Sequence, residues 1–206
     1  MPRVRRAPPW CSPLRAVVVL CVLGAGFWLY ARTGGDVSYF GSPIARRPAP
    51  PLDLTTDRGQ PFDLAALRGD IVLVYFGYTD CPDVCPTTLA DLARITRDLG
   101  SVGSRVRVVF VTLDPRHDHP ALLRKYLAVF DPSFIGLTGS AAAIAAAAKD
   151  WNISWHRVAG HQDFIDHSST VTLVGPRGED RLRYGVTQIG NSAAVTRDLR
   201  RILTSG

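Results

Sequence analysis

From Ile71 to Tyr78 every residue is apolar, aromatic or glycine, and β-branched and aromatic types dominate. A run without polar alternation predicts a strand covered on both faces. Val106 to Leu113 predicts a second strand of this kind. Between them, Leu89, Leu92, Ala93 and Leu99 recur at helical spacing, with Pro86 suited to a first turn and Gly100 to a stop, so Pro86 to Leu99 reads as a helix. Leu123, Leu127 and Phe130 mark one face of a helix over Pro120 to Phe130. Ser140 to Lys149 predicts another, with Ala141 to Ala148 as a small-residue face. Leu52 to Leu64, broken by Asp57-Arg58-Gly59, reads as a hairpin. Thr170 to Val174 and Arg181 to Tyr184, either side of Pro176-Arg177-Gly178, read as a second one. Asn191 or Ser192 caps a last helix carrying Val195, Leu199 and Ile202.

Strand, helix, strand, helix, then hairpin and helix is an α/β order. It implies a mixed sheet with helices on both faces, the thioredoxin-like arrangement. No internal repeat is visible.

The N-terminal pattern differs. Ala16 to Ala31 is an apolar run of 16 residues without a charge, preceded by Arg3, Arg5, Arg6 and Arg15. With Pro13 and Leu14 before it, and Trp28 and Tyr30 at its end, the run predicts a transmembrane signal-anchor over 16–31. Residues 1–15 then stay in the cytoplasm, and the rest of the chain is exported across the inner membrane. Cleavage near Gly24-Ala25-Gly26 is the alternative. It leaves a very short apolar core, and it exports the domain equally. Residues 32–51, with Gly34, Gly35, Pro43, Pro48, Pro50 and Pro51, read as a semi-extended spacer. One domain remains, 52–206, long enough to bury roughly 68–70% of its unfolded surface.

The net charge of +6 does not describe that domain. Up to Pro50 there are seven Arg and one acid, Asp36; from Pro51 onward 17 basic residues face 17 acidic ones. A near-neutral domain has no nucleic-acid footprint. Arg outnumbers Lys by 22 to 2, a bias of a GC-rich coding genome that favours a bacterial source. Cys11 and Cys21 belong to the anchor region and receive no chemistry.

Cys81 and Cys85 are the two cysteines of the exported domain. They sit where the first central strand hands over to its helix, the edge at which α/β sheets bind ligands. The spacing is C-x-x-x-C, stiffened by Pro82 and Pro86. Three readings compete: a structural disulfide, a redox-active pair, and a soft-metal site. A helix N-terminus contributes about 0.3–1 kcal/mol to an exposed anion. One pKa unit is about 1.36 kcal/mol, so the terminus alone cannot keep two adjacent thiolates ionised. A metal can, since thiolate sites gain on the order of 10 kcal/mol. His167, in Asp166-His167-Ser168-Ser169, precedes the strand Thr170 to Val174. In a thioredoxin-like sheet that loop returns beside the cysteine-bearing helix, which would complete an S, S, N donor set suited to copper. On an extended segment Asp166 points the other way.

These residues resemble a known family. Gly77-Tyr78-Thr79-Asp80-Cys81-Pro82-Asp83-Val84-Cys85-Pro86 is similar to the signature of the Sco/SenC copper chaperones. So are Val111-Thr112-Leu113-Asp114-Pro115, the stretch from Phe130 to Gly139, and Asp166-His167-Ser168; the likeness runs from about Leu52 to Leu203. The resemblance implies one copper ion, as Cu(I) or Cu(II), held by Cys81, Cys85 and His167. It also implies delivery to the CuA centre in subunit II of cytochrome c oxidase. The implied protein is a carrier rather than an enzyme; some members are credited with thiol reductase duties, which is the alternative. A copper donor and a thioredoxin-like reductant for a redox-active Cys81–Cys85 pair complete the expected partners. One departure stands out. Where the family has Arg-Asp-Thr-Pro, this chain reads His117-Asp118-His119-Pro120, so a helix-capping Thr is replaced by His119. The His117 and His119 pair reads as an exposed loop outside the primary site, and His156 and His161 have no assigned role.

Overall fold

The computed structural model describes residues 13–33 and 38–205. The chain divides between Ser38 and Tyr39 into two units. In the first, α1 (Pro13–Thr33) is one continuous helix of 21 residues. Its apolar side chains, Val17 to Leu20, Val22, Leu23, Phe27 and Trp28, are each more than half exposed. Among the described residues, no helix is long and apolar enough to cross a membrane. Most of the expected cytoplasmic stretch, residues 1–12, and part of the expected spacer, residues 34–37, lie outside the described residues.

The second unit contains β1 (Ser42–Pro43), β2 (Thr55–Thr56), β3 (Ile71–Gly77), α2 (Val84–Asp98), β4 (Val106–Thr112), α3 (Pro120–Ala128), β5 (Ile135–Thr138), α4 (Ala141–Asp150), β6 (Trp155–Val158), β7 (His161–His167), β8 (Thr170–Val174), β9 (Asp180–Gly185), α5 (Val186–Ile189) and α6 (Ser192–Ser205). Among the described residues, seven strands form one sheet in the order β1-β9-β8-β3-β4-β5-β2, and β6 and β7 pair separately. β3 runs parallel to β4, and β4 to β5; β3 with β8, and β8 with β9, are antiparallel. The sheet is therefore mixed, as the element order implies. Every residue of β3 is buried, which requires cover on both faces. A parallel pair also needs a crossover. Between β3 and β4 that crossover is α2, which packs against α6, while α3 packs along β5.

Three local differences from the sequence reading have physical causes. The hairpin expected over Leu52 to Leu64 shrinks to a turn at Gly59 (φ +76°) and one bridge between Thr55 and Pro61, because Pro61 has no N–H for a longer ladder. β2 pairs with β5 instead. α2 begins at Val84, two residues before Pro86, since a proline in the first turn forfeits only an N–H that has no helical partner. β5 is four residues long and the β6–β7 hairpin is largely polar, so neither carries a readable period.

The segment Tyr39 to Ala49, expected to be spacer, is held on the domain. The Asp198 carboxylate, 3% exposed, accepts from Phe40 N–H at 3.0 Å, Gly41 N–H at 2.9 Å and the Tyr184 hydroxyl at 3.0 Å. A Cβ on Gly41 would sit 2.6 Å from the Tyr184 ring, so only glycine lets the strap approach. β1 then pairs with β9, and Arg47 reaches Asp180 at 3.3 Å. Polar and proline-rich composition conceals this docking, because much of it uses backbone groups.

Asp198→Ala leaves two backbone N–H groups and a buried hydroxyl without their acceptor, a loss on the order of 3 kcal/mol. Urea unfolding should show it, and trypsin should cut faster at Arg46 and Arg47. An unchanged midpoint would show that the strap adds nothing to stability.

Candidate metal centre

The site grows from the junction of β3 and α2. β3 ends at Gly77, the chain turns through Tyr78 to Asp83, and Cys85 falls in the first turn of α2. Asp83 occupies the N-cap position but makes no side-chain cap bond. A sulfur does that work instead: Cys85 N–H donates to Cys81 Sγ at 3.4 Å. The loop is thus folded back so that the first thiol serves an orphan helix donor. Cys81 is half-buried, Cys85 fully buried, and both are free thiols.

Gly77 makes room for the second sulfur. A Cβ there would lie 2.8 Å from Cys85 Sγ and 2.9 Å from the Phe110 ring. Asp118 fixes the loop from below. Its carboxylate, fully buried, accepts from Thr79 N–H at 3.1 Å, the Thr79 hydroxyl at 2.5 Å and the Thr112 hydroxyl at 2.5 Å. Burial pushes the Asp118 carboxyl above its usual range, and these hydrogen bonds oppose the rise.

His167 arrives from 82 positions away. It ends β7, paired with Trp155, and its Nε2 stands 3.7 Å from Cys85 Sγ. Nδ1 lies 3.3 Å from the Ser168 carbonyl. Two links hold the hairpin in place. Ile165 N–H donates to the Tyr78 hydroxyl at 3.3 Å, and Arg157 on β6 pairs with Asp114 after β4. Tyr78 and Tyr75 flank the imidazole, with ring centroids 6.1 and 6.4 Å from it. Asp166 is exposed and outside the group, as alternation requires.

Among the described residues, no three His, Cys, Asp or Glu side chains already stand in metal-binding geometry. Cys81, Cys85 and His167 nevertheless converge, in contact through Cys85. The donor set, two thiols and one imidazole, has the chemistry of a soft-metal site and lacks the carboxylates a hard ion prefers.

The two thiols are electrostatically unequal. The hydrogen bond from Cys85, then that from His167 and the helix-start N–H groups, lowers the Cys81 thiol to about 3, against the opposing cost of burial. The Cys81 sulfur and burial together push Cys85 well up. One thiolate is stabilised, and the second is not. The helix terminus alone could not do even the first; neighbouring donors make the difference.

Relatives decide the lineage. The family model for SCO1/SenC matches residues 45–204. The chain belongs to the SCO1/SenC family. The SCO2-like protein of Rickettsia felis is 37% identical over 132 residues, 62% of this chain and 64% of that one. The match thus spans a little under two thirds of that curated relative's length. Among solved structures, apo Sco1 from Thermus thermophilus is 32% identical with a TM-score of 0.72, covering 82% of this chain and 99% of that one. Bradyrhizobium japonicum ScoI with copper bound is 31% identical with a TM-score of 0.67, covering 76% and 99%. The thioredoxin-like mixed sheet expected from the element order is the fold of this SCO1/SenC domain.

The chain's own departure from the SCO1/SenC pattern is now placed. His119 does the capping that the missing Thr would do: its Nδ1 accepts from Leu122 N–H at 3.3 Å. His117 Nε2 faces Asp80 Oδ2 at 3.3 Å. Neither is part of the Cys85–His167 contact, and His156 is exposed. Sequence reasoning missed Tyr75, Gly77, Asp118 and Arg157. Gly77 and Asp118 lie in quoted motifs, but their roles depend on atoms brought in from other elements.

With the Cys81 thiol at about 3 and Cys85 raised, iodoacetamide should label Cys81 at a rate nearly flat from pH 5 to 8, while Cys85 labels only as pH rises. His167→Ala removes one of the stabilising hydrogen bonds, so the onset of Cys81 labelling should move to higher pH. Peptide mass spectrometry reads both sites. Equal pH profiles for the two cysteines would contradict the asymmetry.

Proposed function

We propose that this chain is a membrane-anchored, extracytoplasmic copper carrier that holds one copper ion with Cys81, Cys85 and His167. The observation that carries the reading is the meeting of Cys85 Sγ and His167 Nε2 at 3.7 Å beside a second, easily ionised thiol. Two thiolates select Cu(I), and imidazole is an acceptable third donor. Membership of the SCO1/SenC family supports the same cargo, and a relative has been solved with copper bound. The recipient is the CuA centre in subunit II of cytochrome c oxidase. A copper donor protein fills the site, and a thioredoxin-like reductant keeps the pair open, because only thiolates bind the metal.

The anchor is residues 16–31. Its support is the arginine flank and a helix whose apolar side chains are exposed, an arrangement at odds with water and suited to lipid. Protease added to spheroplasts should degrade the domain; full protection would place it in the cytoplasm.

A second reading, thiol-disulfide reductase, draws on the low Cys81 thiol, which suits an attacking thiolate. The four-residue C-x-x-C spacing usual for such catalysts is absent, and Ser169 stands before Thr170 where they normally carry proline.

The reduced protein should take one Cu(I) tightly. Either Cys→Ser change should abolish tight binding, His167→Ala should weaken it, and His117→Ala with His119→Ala should leave it unchanged. Chelator competition measures all four. If the Cys81→Ser, Cys85→Ser protein keeps one tight copper, the ligand assignment is wrong. Added copper should restore cytochrome c oxidase in a deletion strain; restoration by thiol reductant alone would favour the reductase.

A further inference from the structure

Under the dithiol lies a hydrogen bond that the carrier reading does not use. Tyr75 is wholly buried on β3, and its hydroxyl donates to Cys85 Sγ at 3.5 Å. A phenol has one proton to give, and here it goes to the sulfur. The Tyr75 ring cannot swing away, because Phe110 stands 5.9 Å off in a tilted stack and His167 lies at 6.4 Å.

We infer that Tyr75 is a positioning residue for Cys85 and biases the site toward Cu(I) over Cu(II). The inference rests on the copper-carrier reading for its metal half. A hydrogen bond donated to a thiolate draws electron density from the sulfur. The more highly charged Cu(II) depends more on that density than Cu(I) does, so its binding is weakened more. Hydrogen bonding around a ligating cysteine is a recognised lever on metal redox preference. The carrier gains a fixed sulfur and a cargo held in the reduced state.

The test uses the full chain in detergent and the variant Tyr75→Phe, which keeps the ring and loses only the hydroxyl. Its metal-free form should melt as the wild type does and still take one copper. Its ratio of Cu(I) to Cu(II) affinity, from chelator competition, should fall about tenfold. The thiolate-to-Cu(II) absorption band should shift. In the metal-free protein, the Cys85 13Cβ NMR shift should move. A folded Tyr75→Phe with an unchanged affinity ratio and an unchanged Cys85 shift overturns the inference. If Tyr75→Phe fails to fold, the wild-type Tyr75 hydroxyl proton decides: it should exchange slowly with water and give a cross-peak to the Cys85 β protons, and a fast-exchanging hydroxyl with no such cross-peak overturns the inference. A wild-type chain that takes no copper overturns the carrier reading and the Cu(I) bias together, while the metal-free shift still decides the hydrogen bond.

Discussion

The close approach of Cys85 Sγ to the backbone at Gly77 is the constraint on which the site depends. A sulfur can lie against the end of β3 only if no Cβ stands there, and one at Gly77 would meet it at 2.8 Å. Cys81, four residues earlier, bends back over the helix start, where its sulfur accepts from Cys85 N–H. The two thiols are thus built into the strand-to-helix crossover that the parallel β3–β4 pair requires in any case.

Burying one thiol beside another imposes an asymmetry. Two thiolates in that space repel, so the hydrogen bonds divide unequally. Cys81 collects donors from Cys85, His167 and the helix start, while Cys85 is pushed toward the neutral form. A bound cation would relieve this arrangement by letting both sulfurs ionise at once. Without one the site is unsymmetrical: one sulfur ionises readily, the other does not, and an imidazole nitrogen stands 3.7 Å from the second.

Around that centre the domain spends polar groups on position. Asp118 ties the cysteine loop to β4 through Thr79 and Thr112. The Arg157–Asp114 pair and the Ile165–Tyr78 hydrogen bond bring the histidine hairpin back to the same edge. At the opposite end of the chain, Asp198 holds the N-terminal strap and closes the sheet beside β9. Each is a buried acceptor or ion pair joining elements far apart in sequence. Such groups are costly to leave unpaired and so enforce one arrangement.

Element types and the chemistry on offer were legible in the residue pattern. Unbroken apolar runs can only be covered strands, which is why β3 and β4 were legible to within a residue. Pro86, Ser140 and Asn191 announced helix starts through the donors that a helix leaves unpaired. The spacing of Cys81 and Cys85, and Asp166-His167-Ser168, named the candidate ligands. Tertiary structure alone decided the rest. β6 and β7 carry no readable period, because Trp155 and Ile165 meet the core from an otherwise largely polar hairpin that pairing and Arg157 also hold. The strap at Tyr39 to Ala49 reads as spacer because much of its docking uses backbone groups, which leave no mark in a side-chain pattern. Tyr75 looks like one more core aromatic until Cys85 Sγ is seen 3.5 Å from its hydroxyl. Local pattern records whether a residue is buried, but not which distant atom it meets. That is fixed by sheet order and register, over separations such as the 82 residues between Cys85 and His167.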